Sequence, residues 1–171
     1  MVCLVALGFF FWKEDALPTL DASRTMRIDS SVLHDGFPLQ LQQTCDGLGE
    51  RPPLTVADIP EGAQSLAVVI EDPDAPTGAF VHWVAWNVPT NLPSIRGDEV
   101  PIGTVEGLNS AGTVGWFAPC PPAGEMHRYV FTVYALDSTL MLPAGASYEK
   151  FARDADRHIL AKGTMTGTYQ R

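Results

Sequence analysis

The chain predicts a mainly β fold, an antiparallel β-sandwich with one short helix near its C-terminus. Short β-branched apolar runs at 65–71, 80–88 and 128–136 are each bounded by turn residues, the signature of buried strands. Fourteen prolines and fifteen glycines demand many turns, which leans toward an all-β architecture. Helical periodicity is clear in one place only, at 148–161.

Taken in order, residues 26–30 read as the first strand and Asp35-Gly36 as a turn. Residues 37–44 read as a weak strand, and 46–49 as a polar loop ending at Pro52-Pro53. The run at 65–71 is stopped by Asp72-Pro-Asp74, and 80–88 follows. The Gly/Pro/Asn-rich excursion at 89–115 either serves function or hides a short element. Trp83, Trp86, Phe131 and Tyr134 sit within strands as core aromatics. Ser147 is placed to cap a helix from Tyr148 to about residue 161, with Tyr148, Phe151, Ala152, Ala155 and Ile159 as its apolar stripe. Gly163 then serves as the C′ residue, and 164–169 is a closing strand. His34 and His158 are assigned to the surface and to helix packing.

At 171 residues the chain has room for one domain with a sizeable core. We place that domain at 26–171, with 1–25 as an N-terminal extension. A formal charge of −9 leaves no basic face for nucleic acid and argues against attraction to anionic membranes. The apolar run at 2–12 is too short to span a bilayer, and neither a preceding Lys or Arg nor a small-residue cleavage pattern accompanies it. The expectation is therefore a cytoplasmic protein without stable membrane insertion; secreted or periplasmic is the alternative if 1–12 acts as a signal. Cys3, Cys45 and Cys120 show no CxxC spacing. They are expected to be reduced thiols, with Cys45 and Cys120 largely buried, a Cys45–Cys120 bridge being the alternative.

Acids, histidines and prolines gather where apolar runs begin and end. Asp72-Pro-Asp-Ala-Pro76 closes one run, His82-Trp83 lies near the start of the next, and Pro119-Cys-Pro-Pro122 precedes His127-Arg-Tyr129. Taken singly, His82 reads as a structural histidine and Asp72 as a turn former. Jointly they describe a small polar pocket on a rigid β scaffold. Two histidines can each offer a ring N–H to one phosphate or carboxylate, and Asp72 can orient one of them from its far nitrogen. The rival reading is a metal-dependent hydrolase using Asp72, His82 and His127. No His-x-His, HExxH or Gly-x-Ser-x-Gly spacing accompanies those residues.

The order Thr44-Cys-Asp-Gly47, Asp72-Pro-Asp-Ala-Pro76, His82-Trp83, Asn87, Pro119-Cys-Pro-Pro122 and His127-Arg-Tyr129 resembles the phosphatidylethanolamine-binding protein family. The prokaryotic, Raf kinase inhibitor-like branch is the nearer likeness. The resemblance implies a Greek-key sandwich with a non-enzymatic anion pocket formed by Asp72, His82, His127 and Tyr129, with Asp74 and the loop beginning at Pro119 around it. It also implies no cofactor and no metal, a small anionic or phosphorylated ligand such as a lipid headgroup, a protein kinase or serine protease as partner, and a homodimer. Ala118 stands where the family pattern has glycine, which puts the backbone donors of that loop in question.

Overall fold

The computed structural model describes residues 20, 22, 24–92, 94–97 and 99–171. Cys3, the apolar run at 2–12 and almost all of the expected 1–25 extension lie outside them. Among the described residues the architecture is two antiparallel sheets and one short α-helix. Strands β1 (Arg27–Asp29), β2 (Leu54–Ala57) and β5 (Ser94–Ile95) form a small sheet in the order β1-β2-β5. Strands β3 (Ser65–Asp72), β4 (Phe80–Val88), β6 (Val105–Glu106), β7 (Met126–Leu136) and β8 (Ile159–Gln170) form the large one, in the order β6-β4-β3-β7-β8. The excursion at 89–115 thus holds two short strands, β5 and β6.

The central strands are apolar on both faces because both faces are covered. Leu66, Val68 and Ile70 of β3 join Trp83, Tyr129, Phe131 and Val133 against Ile28, Leu54 and Val56 of the small sheet. Ala67 and Val69 point the other way and meet helix α1 (Tyr148–Ala155) through Trp86, Phe151 and Ala152. Strand alternation on β3 therefore feeds two cores from one continuous apolar run.

Two elements differ from the sequence reading. Residues 37–44 form no strand: Leu41–Gln43 is a 3-10 turn, and the segment meets β8 at a single bridge, with Leu39 N–H donating to Thr168 O and Thr168 N–H to Phe37 O. Pro38 has no N–H with which to extend that pairing. The helix is capped by Ser147 as expected, but it ends at Ala155 and passes through a 3-10 turn at Asp156–His158. Ile159 starts β8, which pairs with β7 over nearly its whole length. A long ladder against a buried strand outweighs one more turn of helix. Gly163 is consequently no helix terminator. It lies within β8, where an added Cβ would sit 2.6 Å from the Met26 carbonyl oxygen.

Candidate functional site

The polar site forms at one end of the large sheet, where β3 and β8 end and β4 and β7 begin. On β3, Asp72 continues the parity of Leu66, Val68 and Ile70, and on β7 His127 shares that of Tyr129 and Phe131. Both therefore face the same side. At their meeting point His127 Nδ1 donates to Asp72 Oδ2 across 2.7 Å, with both side chains almost wholly buried. The other Asp72 oxygen accepts the Asp74 N–H at 2.9 Å, so the Asp-Pro-Asp turn orients the carboxylate that orients the histidine.

His82 arrives by a different device. Ile70 pairs with Trp83 and Glu71 with Val81, which leaves His82 as the extra residue of a β-bulge. Its unpaired backbone finds Phe117: the Phe117 N–H donates to His82 O at 2.9 Å, and His82 Nδ1 lies 2.7 Å from Phe117 O. A carbonyl only accepts, so Nδ1 carries the proton and Nε2 of the neutral ring keeps its lone pair. The bulge thus places the histidine and ties down the aromatic loop beside it.

Asp72, His82 and His127 line one cavity of about 320 Å³. Phe80, Phe117, Pro76 and Pro122 supply apolar walls, and Arg171 brings a cation at the rim. Among the other expected residues, Asp74 stays outside the lining and grips Arg128 through 2.8 and 2.6 Å hydrogen bonds, which hold its carboxyl down to about 2. Pro119 is also outside; its carbonyl accepts the Cys45 N–H. Tyr129 is fully buried beneath the site, its ring 5.2 Å from His82, and its hydroxyl has no hydrogen-bond partner. Burial first, and then the charge of Asp72, pushes that phenol well above its ordinary range.

The two histidines are shifted in opposite directions. Burial lowers the His82 imidazole below its usual value, despite the Phe117 carbonyl and the charge of Asp72. Burial also acts downward on His127, but hydrogen bonds to Asp72 and Glu125 outweigh it and raise the ring. The site therefore sets a His127 whose charged form is favoured by acidic partners beside a His82 whose charged form is disfavoured by burial.

The cysteine expectation is corrected. Cys45 and Cys120 form a disulfide with Cα atoms 5.4 Å apart, and both residues are exposed rather than buried. Two contacts draw their loops together: the Cys45 N–H to Pro119 O bond and a 2.7 Å bond from Trp116 Nε1 to Gly49 O. With the cysteines 75 positions apart, sequence spacing does not reveal this proximity. Ala118 itself takes an ordinary backbone conformation. Outside glycine, only Asp58 and Asn87 among the described residues have positive φ, so the loop does not require glycine there. No peptide bond among the described residues is cis, so Ala75-Pro76 and Pro121-Pro122 are trans.

Arg171 and Glu125 were missed by sequence reasoning. The register Met126↔Gln170 carries Arg171 to the pocket, and pairing the closing strand with the His127 strand would have located it. Among the described residues, no group of three or more His, Cys, Asp or Glu side chains is arranged to hold a metal ion.

The family model described as phosphatidylethanolamine-binding protein matches residues 29–170. The chain belongs to the phosphatidylethanolamine-binding protein family. A UPF0098 protein of Pyrococcus abyssi is 40% identical over 149 residues, covering 83% of this chain and 84% of the relative. The candidate lipoprotein LppC of Mycobacterium tuberculosis is 36% identical over 157 residues, covering 91% and 78% respectively. A crystal structure of a phosphatidylethanolamine-binding protein homologue from Chlamydia trachomatis superposes with a TM-score of 0.81 at 35% identity, covering 87% of this chain and 99% of that one. Within this family fold, the sheet end and its Pro-rich loops form the cavity described above.

Proposed function

We propose that this phosphatidylethanolamine-binding protein family member is a non-enzymatic binding protein whose sheet-end cavity takes a small oxyanion of the phosphate type. The observation that carries the reading is the pair His82 and His127 on one cavity, each with Nδ1 engaged by an internal acceptor. With Nδ1 fixed, Nε2 is the nitrogen that meets a ligand; on His127 it lies 3.3 Å from the Glu125 carboxylate at the exposed rim. His127 supplies positive charge, and protonated His82 supplies a second donor. Apolar walls suit an anion that carries an organic substituent. A metal-hydrolase role fits poorly, since both oxygens of Asp72 already serve the Asp74 N–H and His127.

The test is a titration with phosphate and a simple phosphomonoester, read through tryptophan fluorescence. Trp116 lies 6.1 Å from the His82 ring and serves as the reporter. Saturable binding that is weakened at least about tenfold in His127→Ala supports the reading, given what charge-assisted hydrogen bonds contribute. Saturable binding that survives in both His82→Ala and His127→Ala places the ligand elsewhere.

We also infer an oxidising compartment outside the cytoplasm, because an exposed disulfide does not persist against cytosolic thiols. No helix among the described residues is long and apolar enough to cross a membrane. Fractionation of the native organism, followed by alkylation of the protein without reduction, checks this inference. A cytosolic protein with free Cys45 and Cys120 overturns it.

A further inference from the structure

The ring of His127 is satisfied on both sides by this chain itself. Opposite the Asp72 contact, Nε2 lies 3.3 Å from Glu125 Oε2. The two ends of the Glu125 side chain live in different surroundings: its carboxylate reaches a histidine whose side chain is 4% exposed, yet the Glu125 side chain is itself 56% exposed. It therefore reaches in from the solvent-exposed rim.

The backbone that carries this arm is fixed. Glu125 N–H donates to Pro122 O at 3.1 Å, closing the turn after the Pro-rich loop. Gly124 N–H donates to Arg171 O, and Arg171 N–H donates to Glu125 O, which ties the turn to the end of β8. A carboxylate on a fixed turn, two residues before His127 and against its outer nitrogen, takes the donor that an external oxyanion would use.

We infer that Glu125 is a tethered competitor, an intramolecular carboxylate that occupies the oxyanion position on His127 and sets how tightly the cavity holds phosphate-type ligands. This rests on the anion-pocket reading proposed above. It adds that the cavity is self-liganded when empty, and that an incoming oxyanion must displace Glu125 from Nε2. Because the arm is exposed, displacement is cheap, and the effect tunes affinity without closing the site. Once displaced, the carboxylate stays at the rim, where it further disfavours highly charged anions.

Inorganic phosphate is the probe, titrated into the full chain and into Glu125→Ala, with the His127 ring followed by NMR in both proteins. Glu125→Ala is expected to bind phosphate about three- to tenfold more tightly, as removal of one charge-assisted competitor should. The His127 titration is expected to move downward in the same variant. Unchanged or weaker phosphate binding in Glu125→Ala, with the unaltered chain binding normally, overturns the competitor and leaves the pocket reading intact. Tighter binding with an unmoved His127 titration also overturns it, because distant charge alone would then account for the gain. Absence of phosphate binding in both proteins, with the His127 titration still displaced, defeats the pocket reading and the competitor with it.

Discussion

Glu71 and Asp72 are consecutive on β3 yet belong to different regions of the molecule. Asp72 faces the sheet-end cavity, where both of its oxygens are committed to defined donors. Glu71 falls on the helix side, where burial raises its carboxyl and a hydrogen bond from Tyr148 only partly opposes that rise. The helix side is otherwise apolar, with Phe151 stacked on Trp86 at 5.8 Å between ring centroids. One residue of strand alternation thus separates a carboxylate in a polar network from one set into a packing layer. Polar groups at the cavity form a hydrogen-bonded network, whereas the opposite face is a packed apolar layer.

The largest effect is expected on the helix side. Phe151→Ala is expected to cost about 3–5 kcal/mol in urea unfolding, since a fully buried aromatic leaves a void. Phosphate affinity of the folded fraction should stay within about twofold, because independent sites add. A large loss of affinity in the folded protein would show that the two regions are coupled.

At the cavity end, replacing Cys45 and Cys120 by serine should cost about 2–4 kcal/mol, the typical contribution of a disulfide. Here stability and phosphate affinity should fall together, because Cys120 and its neighbouring prolines form part of the cavity wall. A stability loss with unchanged affinity would assign the bridge to scaffolding alone.

The two histidines sharpen the contrast within the cavity. NMR titration should place His127 above and His82 below the ordinary value of 6.5. The signs follow. His127, raised on folding, contributes stability that is complete below 6.5 and is lost as pH rises through its folded value. His82, lowered on folding, acts in reverse, and stability is lost as pH falls through its folded value. Sulfate, whose charge stays constant between about pH 5 and 9, should bind more tightly as pH falls and His82 acquires a proton on Nε2. A flat sulfate profile would remove His82 from the binding site.

The smallest effect is expected at Glu71. Its raised carboxyl lowers stability as pH rises from its unfolded value of 4.5 through its folded value, so the cost is present at neutral pH. Glu71→Gln should recover up to about 1 kcal/mol there and nothing in acid, where both forms are uncharged. Equal stabilisation at both pH values would point to packing instead of charge.

Much of this was legible because it depends on local pattern. Apolar runs bounded by Asp, Pro and Gly marked β3, β4 and β7, and Ser147 marked the start of α1. The short β2 was passed over behind Pro52-Pro53, since four residues carry little periodicity. The end of α1 was overrun because Ile159 fits a helical stripe as well as a strand, and only the β7 ladder decides between them. In the site, Asp72, His82 and His127 stood out as polar residues at the edges of apolar runs. Glu125 and Arg171 did not, because each matters only through its neighbour across the fold.

Residue order alone determined the strand-rich class, the two-sided burial of the central strands and the family. These follow from alternation, turn chemistry and ordered motifs, all of which act between residues close in sequence. Tertiary structure decided that His82 is a bulge residue held by Phe117, that His127 lies between Asp72 and Glu125, and that Cys45 meets Cys120. Each of these joins segments whose approach is set by sheet register and loop packing. That approach is a sum of many weak contacts over the whole molecule, and no short window of sequence contains it.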